Sequence, residues 1–429
     1  MRFYSPAGKN RLICPPVAWA CVLAGALSTY VSVGASSRAP AASPSRVVAI
    51  GDIHGDADAF RAILKTAGLI DDQGAWIGGD AALVQTGDFT DRGPKVREVM
   101  DLLMDLESRA HAAGGRVVTL MGNHESMNVL GETRDVTPAI YATFADSKSE
   151  ERREAAYAAR VKLNAARALT LRAQADVYAP PAREAWMAAH PLGWIEYREA
   201  FEPQGTYGKW LRAKDVVTQI GDTIFLHGGI QPDMAPGKLD QLNERIRKEI
   251  GTYDRTRKMM ADRKLILSSF TLQETLEAAR AELAAAVAQA SQGEGMSAGS
   301  SLSRPELLDL DALMKMGAWY SINPNGPLWF RGYALWPSEE GTPNMKKILG
   351  RYKAAHVVVG HTPMGSARIT PRFSSQVFLI DTGMLSSHYP GGRASALEIR
   401  DGRYTALYLD GKTVLLEPSS QQTADKLER

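Results

Sequence analysis

The chain of 429 residues carries 50 basic and 48 acidic side chains, a formal net charge of +2, and apolar residues make up 45% of it. An apolar share of this size supports a sizeable buried core and excludes a disordered chain; the length exceeds an ordinary single domain but suits one large α/β core carrying insertions. So even a balance of charge gives no electrostatic case for nucleic acid as a partner.

The first segment differs from the rest. Arg2, Lys9 and Arg11 precede an apolar stretch from Val17 to Val33, and Val33-Gly34-Ala35 fits a small-residue cleavage site, so residues 1–35 are expected to be a secretory signal peptide. Export to the periplasm or beyond follows from this, with the leader as the sole membrane contact. The alternative is an uncleaved anchor helix facing outward, because the stretch is close to the minimum for spanning a bilayer. A lipoprotein site at Cys21 is disfavoured, since the apolar run continues past it. Both cysteines, Cys14 and Cys21, lie in the leader, so the exported chain cannot use disulfide staples. Loss of the three leader cations takes the formal charge from +2 to −1. Residues 36–45 are Ala, Ser and Pro apart from Arg38, which reads as a flexible tether.

The folded part begins with three repeats of one pattern. Val47 to Ile50, Leu83 to Thr86 and Val117 to Met121 are short aliphatic or β-branched runs, each expected to be a buried parallel strand. They end in Gly51-Asp52-Ile53-His54-Gly55, in Gly87-Asp88-Phe89-Thr90-Asp91-Arg92-Gly93, and in Gly122-Asn123-His124-Glu125. Asp56 to Ala67 and Pro94 to Ala113 have apolar residues at helical spacing, so strand, loop and helix alternate as in a right-handed crossover sheet. Open α/β sheets bind their ligands at such strand mouths, and a Gly before an Asp or Asn turns the chain sharply there.

The rhythm then breaks. Residues of about 134–212, with helical patterns over Glu150 to Ala175 and Pro181 to Phe201, are too long for a connection and are expected to be an insertion. A hairpin follows, Val216 to Ile220 and Thr223 to Leu226 around Gly221-Asp222, and runs into His227-Gly228-Gly229. A second insertion of about 236–320 is helical from Lys238 to Ala288, with a Gly/Ser-rich linker from Gln292 to Ser303. The two insertions are expected to pack together as a cap beside the strand mouths; surface decoration is the alternative. Val357 to Val359 ends in Gly360-His361-Thr362-Pro363, Val377 to Ile380 ends in Asp381-Thr382-Gly383, and a hairpin of Ala394 to Ile399 with Tyr404 to Leu409 closes the domain. That domain spans residues 46–415, leaving 416–429 as a polar tail.

The polar residues at these strand ends suggest metal chemistry. Asp52, His54, Asp88 and Asn123 supply carboxylate, imidazole and amide donors, and His227 and His361 end later strands in the same way. A single strand-end histidine is more often a plain hydrogen-bonding residue; five such loops in order are not a coincidence of composition. Oxygen and nitrogen donors without thiolate suit Mn, Fe, Zn or Co. His111 and His190 lie in expected helices and read as surface residues, His356 and His388 carry no clear assignment, and Asp381-Thr382-Gly383 is a candidate pocket lining with a structural role as the alternative.

The ordered series GDIHG, GDFTDRG, GNHE, HGG and GHT closely resembles the calcineurin-like metallophosphoesterase superfamily, over about residues 47–133, 216–231 and 321–409. The Asp-Arg-Gly after Asp88 and the Glu after His124 look like its phosphoprotein phosphatase branch. GNHESMN, the stretch Gly326-Pro327-Leu328-Trp329-Phe330-Arg331-Gly332, and Asp381-Thr382-Gly383-Met384 are similar to the Shewanella-like bacterial phosphatases. The resemblance implies an α/β fold of the metallophosphoesterase type, a β-sandwich flanked by helices (α/β/β/α). It also implies two metal ions, one held by Asp52, His54 and Asp88, the other by Asp88, Asn123, His227 and His361. Cations about 3.5–4 Å apart need a shared carboxylate and hydroxide between them, which agrees with Asp88 as the bridge and the hydroxide as nucleophile. In the same pattern His124 protonates the leaving oxygen and is held by Asp91, while Arg92 clamps phosphate. Asp91 could equally cap the helix at Pro94.

Arg331 is the candidate for a second clamp, with a stack on Trp329 or Phe330 as its alternative, and Tyr389 is a candidate pocket residue. Pro363 stands where diesterase branches often carry a further histidine, so an open position on the first metal is expected. The function implied is hydrolysis of phosphomonoesters of protein or peptide. A nucleotidase or dinucleotide polyphosphate hydrolase is the second enzyme reading, and an inactive metal-binding interaction module is a third.

Overall fold

The computed structural model describes residues 44–171, 178–291 and 302–418. The expected leader, residues 36–43 of the tether, nearly all of the Gly/Ser-rich linker and the tail beyond residue 418 lie outside the described residues.

The chain opens with β1 (Val47–Ile50), α1 (Ala57–Thr66), β2 (Ala82–Gln85), α2 (Val96–Ala112), β3 (Arg116–Thr119) and a short α3 (Asn123–Val129). Asp56 caps α1 by accepting the Ala59 N–H at 2.9 Å. β1, β2 and β3 run parallel, with Ile50 level with Gln85 and Gln85 level with Thr119, so all three strands stop at one edge. Alternation along these strands decides the layering. Val48, Ile50 and Leu83 pack with α1 and α2, whereas Val47, Ala49, Ala82 and Val84 pack with Phe225, Val358 and Phe378 of a second sheet.

The first insertion contains α4 (Pro138–Ala142), α5 (Ser149–Leu171), α6 (Arg183–Ala189), α7 (Trp194–Phe201) and α8 (Thr206–Arg212). Where the sequence pattern suggests one helix from Pro181 to Phe201, there are two. Pro191 cannot continue the backbone hydrogen bonds of α6, and Gly193 turns the chain at φ 88° before α7. β4 (Val217–Ile220) and β5 (Thr223–Leu226) form the expected hairpin, with Gly221 at φ 60°. The second insertion contributes α9 (Asp240–Asp262), α10 (Leu272–Ser291) and α11 (Arg304–Met314). The single helical block read from Lys238 to Ala288 is thus divided, with Lys264 in the left-handed region at the break.

The two insertions share one core. Leu163, Leu171 and Tyr178 from the first pack with Tyr253, Met260, Phe270, Leu310 and Leu313 from the second, and Arg160 pairs with Glu274 across them at 2.7 Å.

After α12 (Gly332–Leu335) and α13 (Ser338–Tyr352), the second sheet is completed by β6 (His356–Val359), β7 (Thr370–Arg372) and β8 (Val377–Leu379). Its order is β4-β5-β6-β8-β7. β9 (Ser395–Arg400), β10 (Arg403–Tyr408) and β11 (Gly411–Leu416) return to the first sheet, whose order is β11-β10-β9-β1-β2-β3. Two facing sheets with helices outside give the expected helix, sheet, sheet, helix layering. β7 and β11 are strands beyond those expected from the sequence pattern. Both are edge strands, and Pro371 at the centre of β7 is tolerated there because an edge strand has an unpaired side.

Candidate metal centre

The strand ends bring six polar side chains into one buried cluster. Asp52, His54, Asp88, Asn123, His227 and His361 are each no more than 4% exposed. Such density requires backbone to approach carboxylate closely. A Cβ at Gly122 would lie 2.3 Å from Asp88 Oδ1, and one at Gly360 would lie 2.2 Å from Asp52 Oδ1.

The loops are also strained. His54, Asp88, Asp91, Arg92 and His361 all have positive φ, between 45° and 69°, in a region where non-glycine residues cost about 1–3 kcal/mol each. Such backbone persists only where its surroundings over-determine it. Glu125 does this. Its buried carboxylate accepts the N–H groups of Asp88 at 2.7 Å, Phe89 at 3.0 Å, Thr90 at 2.9 Å and Gly122 at 2.8 Å, together with the Thr90 hydroxyl at 2.8 Å. In the sequence Glu125 stands out only through the family resemblance of the residue after His124. A Glu three residues after the start of a helix is nonetheless a recognised capping signal.

Three imidazoles are oriented identically in chemical terms. His54 gives Nδ1–H to Thr90 O at 2.9 Å, His227 gives Nδ1–H to Thr86 O at 3.0 Å, and His361 gives Nε2–H to Trp329 O at 3.0 Å. Carbonyl oxygens only accept, so each of these nitrogens is the donor, and the opposite nitrogen is the one turned toward the cluster. Those opposite nitrogens converge on Asp88: His227 Nε2 is 3.1 Å and His54 Nε2 is 3.8 Å from its Oδ2, and His361 Nδ1 is 3.1 Å from His227 Nε2. Asn123 Oδ1 lies 2.9 Å from His227 Nε2, and Asp52 Oδ2 lies 4.0 Å from His54 Nε2.

Electrostatics match this geometry. Burial lowers His54 and His361 well below the ordinary imidazole range, which keeps both neutral. Burial alone would raise Asp88, yet the neighbouring His227 and His124 hold it well below the usual carboxylate range. Asp52 is raised by burial and by the nearby Asp381 and Asp88 charges. Two carboxylates in one dry pocket with converging imidazole nitrogens form a set that a divalent cation satisfies. Two groups, His54 with Asp88 and His124, and Asp88 with His227 and His361, bring their donor atoms within 4.8 Å of one another, and Asp88 belongs to both. The residues present therefore fit metal binding.

His124 stands beside this cluster. Its Nδ1 bonds Asp91 Oδ2 at 2.8 Å, and its Nε2 faces the Arg92 guanidinium at 3.1 Å. Burial pulls this ring down, but the charge of Asp88 and the Asp91 bond outweigh it and hold His124 at about 9. Asp91 is itself fully buried and raised by that burial, so the pair retains its proton. Asp91 also precedes Pro94 but makes its side-chain bonds to His124 and Asn128, not to the helix that follows. Arg92 also contacts His54 Nε2 at 2.6 Å and the Tyr389 hydroxyl, with its guanidinium carbon 5.5 Å from the Tyr389 ring.

Arg331 lies on the other side, donating to His361 O at 2.7 Å and to Thr362 Oγ1 at 3.0 Å. Those oxygens, rather than an aromatic face, are what position it. His356 bonds Ser375 O at 2.8 Å and is not in the cluster, and His388 is exposed. His111 is exposed as expected, but His190 stacks on Trp186 at 4.0 Å and is only partly accessible. Three further residues, of which only Asn128 falls in a quoted motif as the last residue of GNHESMN, connect to His124. Asp135 Oδ2 is 3.9 Å from His124 Nδ1, and Asn128 and Tyr197 extend the Asp91 hydrogen bonds into the first insertion.

Comparison with known proteins is consistent with this centre. The model of the calcineurin-like phosphoesterase family matches residues 45–365. The chain is 34% identical to Shewanella-like protein phosphatase 2 of Arabidopsis thaliana over 215 residues, 49% of this chain and 53% of that protein. It is 25% identical to Shewanella-like protein phosphatase 1 of Plasmodium berghei over 365 residues, 85% of this chain and 74% of that one. The chain thus spans about half the length of the first relative and about three quarters of the second. Among solved structures, the cold-active protein-tyrosine phosphatase of a psychrophilic Shewanella species superposes with a TM-score of 0.53 at 23% identity, covering 87% of this chain and 80% of that one, a likeness of fold. With its strand-end loops inside the matched region, the chain belongs to the calcineurin-like phosphoesterase family.

Proposed function

We propose that this protein is an exported, binuclear metal-dependent phosphatase that hydrolyses phosphomonoesters of protein or peptide. The observation that carries the reading is Asp88, shared between two groups of metal-type donors and adjoined by His124, whose ring is bonded to Asp91. Asp52, His54 and Asp88 would hold one ion, and Asp88, Asn123, His227 and His361 the other, with Mn, Fe or Zn as the fitting metals. Bound there, the ions supply Lewis acidity and a nucleophilic oxygen at neutral pH.

The remaining work falls to the chain. Arg92, at the mouth beside His54 and His124, orients phosphate through its planar fork, and Arg331 approaches from the opposite side, tied to the backbone of His361. His124 serves as the proton donor to the leaving oxygen, while Asp91 fixes the ring through Nδ1 and compensates its charge. Tyr389 holds Arg92 and walls the pocket.

The basic and apolar leader supports export, and cleavage after Ala35 would give a mature chain beginning at Ser36. The test of the reading is release of phosphate from 4-nitrophenyl phosphate by metal-loaded protein. Hydrolysis that is lost on chelation and in Asp88→Asn supports it; a metal-loaded protein silent on aryl phosphates and phosphopeptides contradicts it.

A further inference from the structure

The helical insertion reaches the reaction centre through one unbroken chain of side-chain hydrogen bonds. Tyr197, on α7, donates its hydroxyl to Asn128 Oδ1 at 2.6 Å. Asn128 Nδ2 donates to Asp91 Oδ1 at 2.8 Å and to His124 O at 2.9 Å, and Asp91 Oδ2 bonds His124 Nδ1 at 2.8 Å. The direction is unambiguous. A carboxylate and a carbonyl can only accept, so both must face the amide NH2, which leaves Oδ1 for the tyrosine. Every member is buried: Tyr197 is 1%, Asn128 1%, Asp91 0% and His124 3% exposed.

The tyrosine is held in place by its ring. Phe201 stacks on it at 4.5 Å, and Tyr141 and Phe144 meet it edge-on at 5.2 and 5.0 Å. Asn128 in turn joins two things that must keep register, the Asp91 carboxylate and the backbone of the histidine that the carboxylate orients. In a dry site neither bond has water to replace it.

We propose that Tyr197 and Asn128 are positioning residues for the proton donor, so that the first insertion sets how well His124 serves the leaving group. The inference rests on the phosphatase reading and concerns protonation of the departing oxygen alone. Its consequence depends on the substrate. Phenolate needs a proton to leave, whereas 4-nitrophenolate departs with little help, and the two phosphate esters are nearly the same in size.

The test compares metal-loaded wild type, Tyr197→Phe, Asn128→Ala and, as a control, Tyr207→Phe on phenyl phosphate and 4-nitrophenyl phosphate. Tyr207 is also buried and donates its hydroxyl at 2.7 Å, but to Asp101. Tyr197→Phe is expected to lower kcat about tenfold on phenyl phosphate and less than about twofold on 4-nitrophenyl phosphate, with KM unchanged, a fraction of what general-acid catalysis contributes. Asn128→Ala should widen that gap, and Tyr207→Phe should leave the ratio of the two rates as in wild type. In an Asp91→Ala background the Tyr197→Phe effect should vanish, because the link it acts through is already cut. Equal losses on both esters would make Tyr197 a structural residue only and overturn the proposal, as would no loss on either. A wild type inactive on both esters would instead contradict the phosphatase reading, and the inference with it.

Discussion

Glu125 and Thr90 are joined twice: the carboxylate takes the threonine's N–H at 2.9 Å and its hydroxyl at 2.8 Å. The same carboxylate spans to Asp88 and Gly122, so one side chain ties the β2 loop to the start of α3. Glu125→Gln turns half of this acceptor into a donor facing N–H groups. The variant is expected to be less stable by about 2–3 kcal/mol, measured by denaturant unfolding of the metal-free chain. Its affinity for metal should fall about 10- to 100-fold, since the residue orients ligands without touching the ion.

His124 is expected to titrate at about 9 in the metal-free chain, followed by proton NMR of the imidazole. The folded state binds this proton more tightly than the unfolded state does. The resulting stabilisation is fully present below the ordinary imidazole range and is lost as pH rises through about 9. Asp91→Asn removes a bond and a charge that both raise this ring, so its titration should move to lower pH.

The part of the molecule legible in the sequence is the part with strong local rules. Buried parallel strands are short continuous aliphatic runs, and a Gly before a polar residue marks the sharp turn off each end, so Asp52, Asp88 and Asn123 could be placed on one edge without coordinates. Tyr197 could not. It lies 69 residues from Asn128, in a helix whose other side chains give it the look of an ordinary aromatic core position. The break between α6 and α7 is marked locally by Pro191 and Gly193, whereas the break at Lys264 and the edge strands β7 and β11 are decided by packing rather than by local pattern.

The two arginines should separate kinetically. Arg92 contacts both His54 and His124, so Arg92→Ala is expected to lower kcat and raise KM together. Arg331 is anchored to His361 O and Thr362 and reaches the site from its rim, so Arg331→Ala should act mainly on KM for phosphate esters, by about 10-fold. Steady-state kinetics on one ester decides both.

His124→Gln retains a side chain able to donate a hydrogen bond but not a proton. It should lower kcat by about 10²–10⁴-fold while leaving bound metal unchanged, because His124 is placed to serve the leaving group. Loss of metal in this variant would move His124 into the ligand set.

Elemental analysis of purified wild type and Asp88→Asn, paired with phosphate release from one aryl ester, tests the shared carboxylate most directly. Wild type is predicted to carry about two ions per chain, and the variant to lose both metal and turnover together. Full activity in a variant or a chelated enzyme without metal would contradict the account.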